Sequence, residues 1–82
     1  MAKLEIYPNP SRDIFNVEFT TATLEDVEIV VVNSIGQEIY VESSEIDGEY
    51  SNQIDLSNHS KGIYNLVITT ADETTNYRLV LQ

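Results

Sequence analysis

Three stretches of the chain alternate apolar and polar residues with a period of two. Phe15, Val17 and Phe19 alternate with Asn16, Glu18 and Thr20. Tyr64, Leu66 and Ile68 face away from Ile63, Asn65 and Val67, and Tyr77, Leu79 and Leu81 form a third row. Successive side chains of a strand point to opposite faces, so each row predicts a strand with one buried face. The run Val27 to Val32 is apolar except for Glu28 and reads as a central strand covered on both sides. A helix over Thr23 to Val32, capped by Thr23, is the weaker alternative. Its β-branched side chains are stiff at χ1 and suit a pleated surface better.

Turn chemistry separates these runs. Pro8-Asn9-Pro10-Ser11-Arg12-Asp13 is a turn cluster whose prolines cannot donate to a central ladder. Asn33-Ser34-Ile35-Gly36 reads as a hairpin connection with Gly36 at positive φ, and Asp47-Gly48 as a second turn. Polar loops follow at 57–62 and 71–75. The spacing predicts strands near 4–7, 14–20, 26–33, 38–42, 50–56, 62–70 and 76–81. Short strands separated by turns, with no helical segment, point to an antiparallel β-sandwich.

Composition supports this reading and removes function classes. Val, Ile and Thr supply 24 of the 82 residues and Ala only three, a bias towards strand. A chain this short reads as one domain over residues 1–82. Four Lys/Arg against fourteen Asp/Glu leave a net charge of −10, which argues against nucleic acid and anionic membrane surfaces as partners. No apolar run approaches the ~20 residues of a membrane-spanning helix, so direct membrane insertion is not expected. The start, Met1-Ala2-Lys3-Leu4, opens no secretory signal. Met1-Ala2-Lys3 reads instead as an added start on a segment excised from a longer protein.

Candidate chemistry is sparse. There is no cysteine and therefore no disulfide or thiol nucleophile. The one histidine, His59, lies between Ser57 and Ser60 in a polar loop, where loop neighbours rarely align as base and nucleophile. It is expected to be a hydrogen-bonded or solvent-facing histidine without a catalytic role. Asp47, Glu49 and Asp55 form the densest acidic group, but their spacing matches no EF-hand loop, and a solvated turn is expected. Asn58-His59-Ser60 fits the N-glycosylation sequon, a pattern frequent by chance. Tyr64 and Tyr77 sit on inward rows and read as core, whereas Tyr7, Tyr40 and Tyr50 are open as aromatic contacts. No catalytic residue, cofactor or metal site is predicted, and an enzyme is not expected.

Four segments, in order, carry a resemblance: Ile6-Tyr7-Pro8-Asn9-Pro10; Val32-Asn33-Ser34-Ile35-Gly36-Gln37-Glu38-Ile39; Ile54-Asp55-Leu56-Ser57; and Lys61-Gly62-Ile63-Tyr64-Asn65-Leu66-Val67-Ile68. Together they resemble the C-terminal sorting domain of the type IX (Por) secretion system, type A, over about Leu4 to Leu81. The matching motif residues are Tyr7, Pro8, Asn9, Pro10, Asn33, Gly36, Gln37, Asp55, Leu56, Gly62 and Tyr64. The resemblance implies an Ig-like antiparallel sandwich of about seven short strands. It also implies a non-catalytic address label at the C-terminus of exported proteins, chiefly in the Bacteroidetes.

The partners so implied are the type IX translocon and a sortase-like cysteine protease. The protease cuts before the domain and attaches the passenger to the cell surface. The localisation implied is exported: periplasm in transit, then outer-membrane surface or extracellular. Three positions depart from the family pattern. Arg12-Asp13 stands where Asn-Gly is common, His59 where Leu is common, and the end lacks the usual lysines. The motif residues are expected to build the sandwich, while Arg78, Leu79, Val80, Leu81 and Gln82 are the recognition candidates. A last strand can offer its backbone donors and acceptors to a partner sheet. The alternatives are an Ig-like binding module for sugar or a surface protein, and a structural module that self-associates through open sheet edges.

Overall fold

The computed structural model describes residues 1–82 and contains seven strands and no helix. The strands are β1 (Ala2–Tyr7), β2 (Ile14–Thr20), β3 (Glu25–Val32), β4 (Glu38–Ile46), β5 (Glu49–Asp55), β6 (Gly62–Thr69) and β7 (Thr74–Leu81). Thr23 begins no helix, and the β-branched run is strand. One sheet has the order β1-β2-β5 and the other β4-β3-β6-β7, with every neighbouring pair antiparallel. In immunoglobulin lettering these are A-B-E and C′-C-F-G, so the fourth strand lies in the second sheet.

The inward rows meet between the sheets. Phe15, Val17, Phe19 and Ile54 from the first sheet pack with Val27, Ile29, Val31, Leu66, Ile68, Leu79 and Leu81 from the second. Phe19 stacks on Tyr50 with ring centroids 4.7 Å apart. Every buried side-chain nitrogen and oxygen has a hydrogen-bond partner. Tyr64 ties the β5–β6 corner: its ring is buried, and its hydroxyl donates to the Ser60 carbonyl four residues upstream. That contact is the tyrosine corner of immunoglobulin-like sandwiches.

The structure corrects the sequence reading at several places. Tyr77 is 38% exposed and lies outside the core, although Leu79 and Leu81 on its row are buried. Its strand is the sheet edge, and the Asn9–Ser11 segment that lies along that edge bonds there only to Arg78, Val80 and Gln82. The strand 26–33 is central in its sheet, but only one face is covered by the other sheet. Val30 is buried yet stands apart from the inter-sheet core, on the outward face with Val32. The strand expected at 38–42 continues to Ile46. Its inward positions, Tyr40, Glu42 and Ser44, are too polar to show an apolar alternation.

Gly36 adopts φ +85° in the β3–β4 hairpin, as the turn chemistry requires. Asn33 organises that hairpin. Its Oδ1 accepts from the Ile35 and Gln37 N–H groups at 3.1 and 2.9 Å, and its Nδ2 donates to Gln37 Oε1 at 2.9 Å. A Cβ on Gly36 would meet nothing within 4 Å. Replacing Gly36 by Val therefore costs backbone strain alone, expected at about 1–3 kcal/mol. Urea denaturation checks this; a variant unfolding at the parent midpoint would show that the turn tolerates a side chain.

Candidate functional site

Two of the motif segments meet at β7: the segment after β1 and the strand β6. β7 pairs with β6 along one edge, and the segment after β1 covers part of the other edge. Asn9 Nδ2 donates to the Arg78 carbonyl at 2.7 Å, and the Val80 N–H donates to Asn9 Oδ1 at 3.0 Å. Two residues further, the Ser11 N–H donates to the Val80 carbonyl at 3.0 Å and the Gln82 N–H to the Ser11 carbonyl at 2.8 Å. The Asn9 amide thus imitates a strand residue, supplying one donor and one acceptor where proline supplies no N–H. Ser11 itself is buried, with its hydroxyl donating to the Ile14 carbonyl. Tyr7, Pro8, Asn9 and Pro10 are exposed beside this clamp, and Tyr7 donates to Glu18 across the outer face of the first sheet.

The other motif residues serve local geometry. Asp55 Oδ1 accepts the Ser57 N–H at 2.8 Å, and the Ser57 side chain, then this backbone bond, hold its carboxyl below the usual carboxylate range. Leu56 is buried and its N–H donates to the Asp13 carbonyl at 2.8 Å. The backbone N–H of His59 donates to the Leu56 carbonyl at 3.0 Å, and its half-buried imidazole bonds neither Ser57 nor Ser60. Asp55 stands at the opposite end of β5 from Glu49, about 20 Å along the strand, so the acidic candidates are not gathered. No group of three or more acidic or histidine side chains is arranged to hold a metal ion.

The recognition candidates divide by face. Leu79 and Leu81 are core, Arg78 and Gln82 are exposed, and Val80 is half-buried on the outward face. The backbone groups of Arg78, Val80 and Gln82 that a partner strand would use are those Asn9 and Ser11 already hold.

The remaining sheet edges carry their own devices. β1 is broken by a bulge between Ala2 and Glu5, with Lys3 at φ +56°. β5 presents Glu49, Ser51, Gln53 and Asp55, all exposed. β4 turns a carboxylate inward. Glu42 accepts hydrogen bonds from Tyr40 (2.6 Å), Tyr50 (2.9 Å), Asn52 (3.0 Å) and Ser44 (3.3 Å), joining β4 to β5 across the open side of the sandwich. Bulges, charges and inward-pointing acids discourage edge-to-edge pairing. The sequence reading missed this cluster, because Glu42 is recognisable as an inward acid only once its register against Ile29 is known.

Burial pushes the Glu42 carboxyl up, but the hydroxyl and amide donors outweigh it and hold the group below its usual value. Burial, then the bond to Glu42, push the Tyr40 phenol up to about 12. Burial likewise raises Tyr50, with Asn52 opposing and Glu42 reinforcing. Glu42 therefore contributes stability above its unfolded value of 4.5 that is lost as pH falls through the lower folded value. Tyr40 contributes stability below pH 10.0 that is lost as pH rises through about 12. A plateau in urea midpoint between these limits is expected, and Glu42→Gln is expected to flatten both flanks. Unchanged flanks in that variant would assign them to other groups.

Residues 5–82 match the family of secretion system C-terminal sorting domains. No curated protein matches the chain.

Proposed function

We propose that this chain, which belongs to the family of secretion system C-terminal sorting domains, is a folded address label read by the type IX translocon. The family's members are type IX sorting signals, and a protein carrying one is secreted through the outer membrane. The observation that supports the reading most is the match over residues 5–82, with the Tyr7-Pro8-Asn9-Pro10 segment clamped to the final strand. In this reading residues 1–82 act as one domain without catalysis. The passenger is delivered to the cell surface or beyond it, and a sortase-like cysteine protease removes the domain and attaches the passenger. Reading of the last strand by strand addition would require Asn9 and Ser11 to be displaced first.

Fused behind an inert reporter with its own signal peptide, the domain is expected to carry the reporter out of a cell with a type IX system. Deleting the translocon should trap it in the periplasm. A reporter that stays periplasmic in the intact cell would sink the proposal. Release of a shortened reporter, or one shifted in mass by surface attachment, reads the cleavage step separately.

A further inference from the structure

The outward faces of the two sheets differ in kind. On the three-stranded sheet the outward positions of β1, β2 and β5 are polar apart from Tyr7 and Ile14, and they include Glu5, Glu18 and Glu49. On the four-stranded sheet, cross-strand pairing places Val41, Val30 and Val67 in one row that ends at Asn76; Val32 follows along β3 in a row with Asn65 and Arg78, and the Ile63–Val80 pair lies one row further on. Val41 is 56% exposed and Ile63 44%, while Val30 is 8% exposed although the inter-sheet core does not include it. An antiparallel sheet that faces only water alternates apolar-in with polar-out, and this face does not. Its rim is acidic. Asp26 stands directly opposite Glu45, Glu28 is next along β3, and Glu38 pairs with Val32 at the other end; Arg78 is the one cation. Directly opposed like charges destabilise a sheet, and a cationic partner relieves that repulsion.

We propose that this outer face is a docking surface for a protein surface that is apolar at its centre and lined with Lys or Arg at its rim. A second copy does not fit, because it brings the same acids and a further net charge of −10. Edge pairing is discouraged by the bulge, the inward acid and the Asn9 clamp, which leaves the face as the open apolar surface. The assignment of this partner to export rests on the sorting reading; the binding test does not.

The test uses the ¹⁵N-labelled chain and three synthetic ten-residue peptides that alternate Val with Lys, Val with Glu, or Ser with Lys. The Val/Lys peptide is expected to bind at least tenfold tighter than either control and to shift amides of β3, β4 and β6. Val41→Thr with Val67→Thr, and separately Glu28→Lys with Glu45→Lys, should each weaken it tenfold, while Gln53→Lys on the opposite sheet should not. Absent binding, equal binding of Ser/Lys, shifts confined to β1, β2 and β5, or dimerisation of the free chain through this face would overturn the proposal. In the export assay, a wild-type reporter that moves while the Val41→Thr/Val67→Thr reporter does not supports the face as the sorting contact. Equal export of both overturns that use. A wild-type reporter that fails to move overturns the sorting reading alone and leaves the peptide result standing.

Discussion

A reporter whose domain lacks Arg78 to Gln82 is expected to remain in the periplasm, with the domain unfolded. The deletion removes Leu79 and Leu81, which are 0% and 2% exposed, from the middle of the core. Truncating one buried leucine costs about 2–5 kcal/mol, and a small domain has in all about 5–15 kcal/mol to lose. It also strips Asn9 and Ser11 of their partners, so the clamp at the start of the chain opens with the loss of its end. Loss of export by the deletion alone is therefore uninformative about recognition. Arg78→Glu is the separating variant. The Arg78 side chain is exposed and only its carbonyl is used by the clamp, so unfolding should shift by no more than ~0.5 kcal/mol. If a basic side chain is read at that position, export falls while circular dichroism and the melting curve stay those of the parent. Full export of folded Arg78→Glu would move the contact away from this side chain.

Phe19→Ala is expected to cost about 3–5 kcal/mol and to leave the chain at best marginally folded. Phe19 is 2% exposed, and its ring supports Tyr50, the residue that carries the polar cluster from β5 to Glu42 on β4. The gap therefore acts twice, as a cavity between the sheets and as a loosened donor to a half-buried carboxylate. Urea denaturation at neutral pH measures the first effect. The slope of stability against pH below 4.5, flatter in the variant than in the parent, measures the second. A loss under about 1 kcal/mol would show that the sheets close over the gap, an outcome the spread of such substitutions allows for sites that can collapse.

Residue order alone determined the strands whose two faces differ in polarity. Phe15-Val17-Phe19 declares its inward side by alternation with Asn16, Glu18 and Thr20, and Gly36 declares its turn because few other residues tolerate its φ. The four motif segments likewise pointed to the family, and among their residues Asn33, Gly36 and Asp55 lie in turns, Tyr64 in a corner and Asn9 in a clamp. Three things were decided only by tertiary structure. Tyr77 follows the period of Leu79 and Leu81 but is exposed, because β7 is an edge strand and the Asn9–Ser11 segment lies along only its last residues. Glu42 looks like any surface acid until β4 is paired with β3 and its side chain meets Tyr50 and Asn52 from the other sheet. Asn9 and Arg78 are 69 residues apart along the chain and meet only when the sandwich closes. The physical reason is common to all three. Alternation and φ preference act between neighbours in sequence and leave a local trace. Edge position, inter-sheet polar contacts and a long-range clamp depend on which strands pair, which no local pattern encodes.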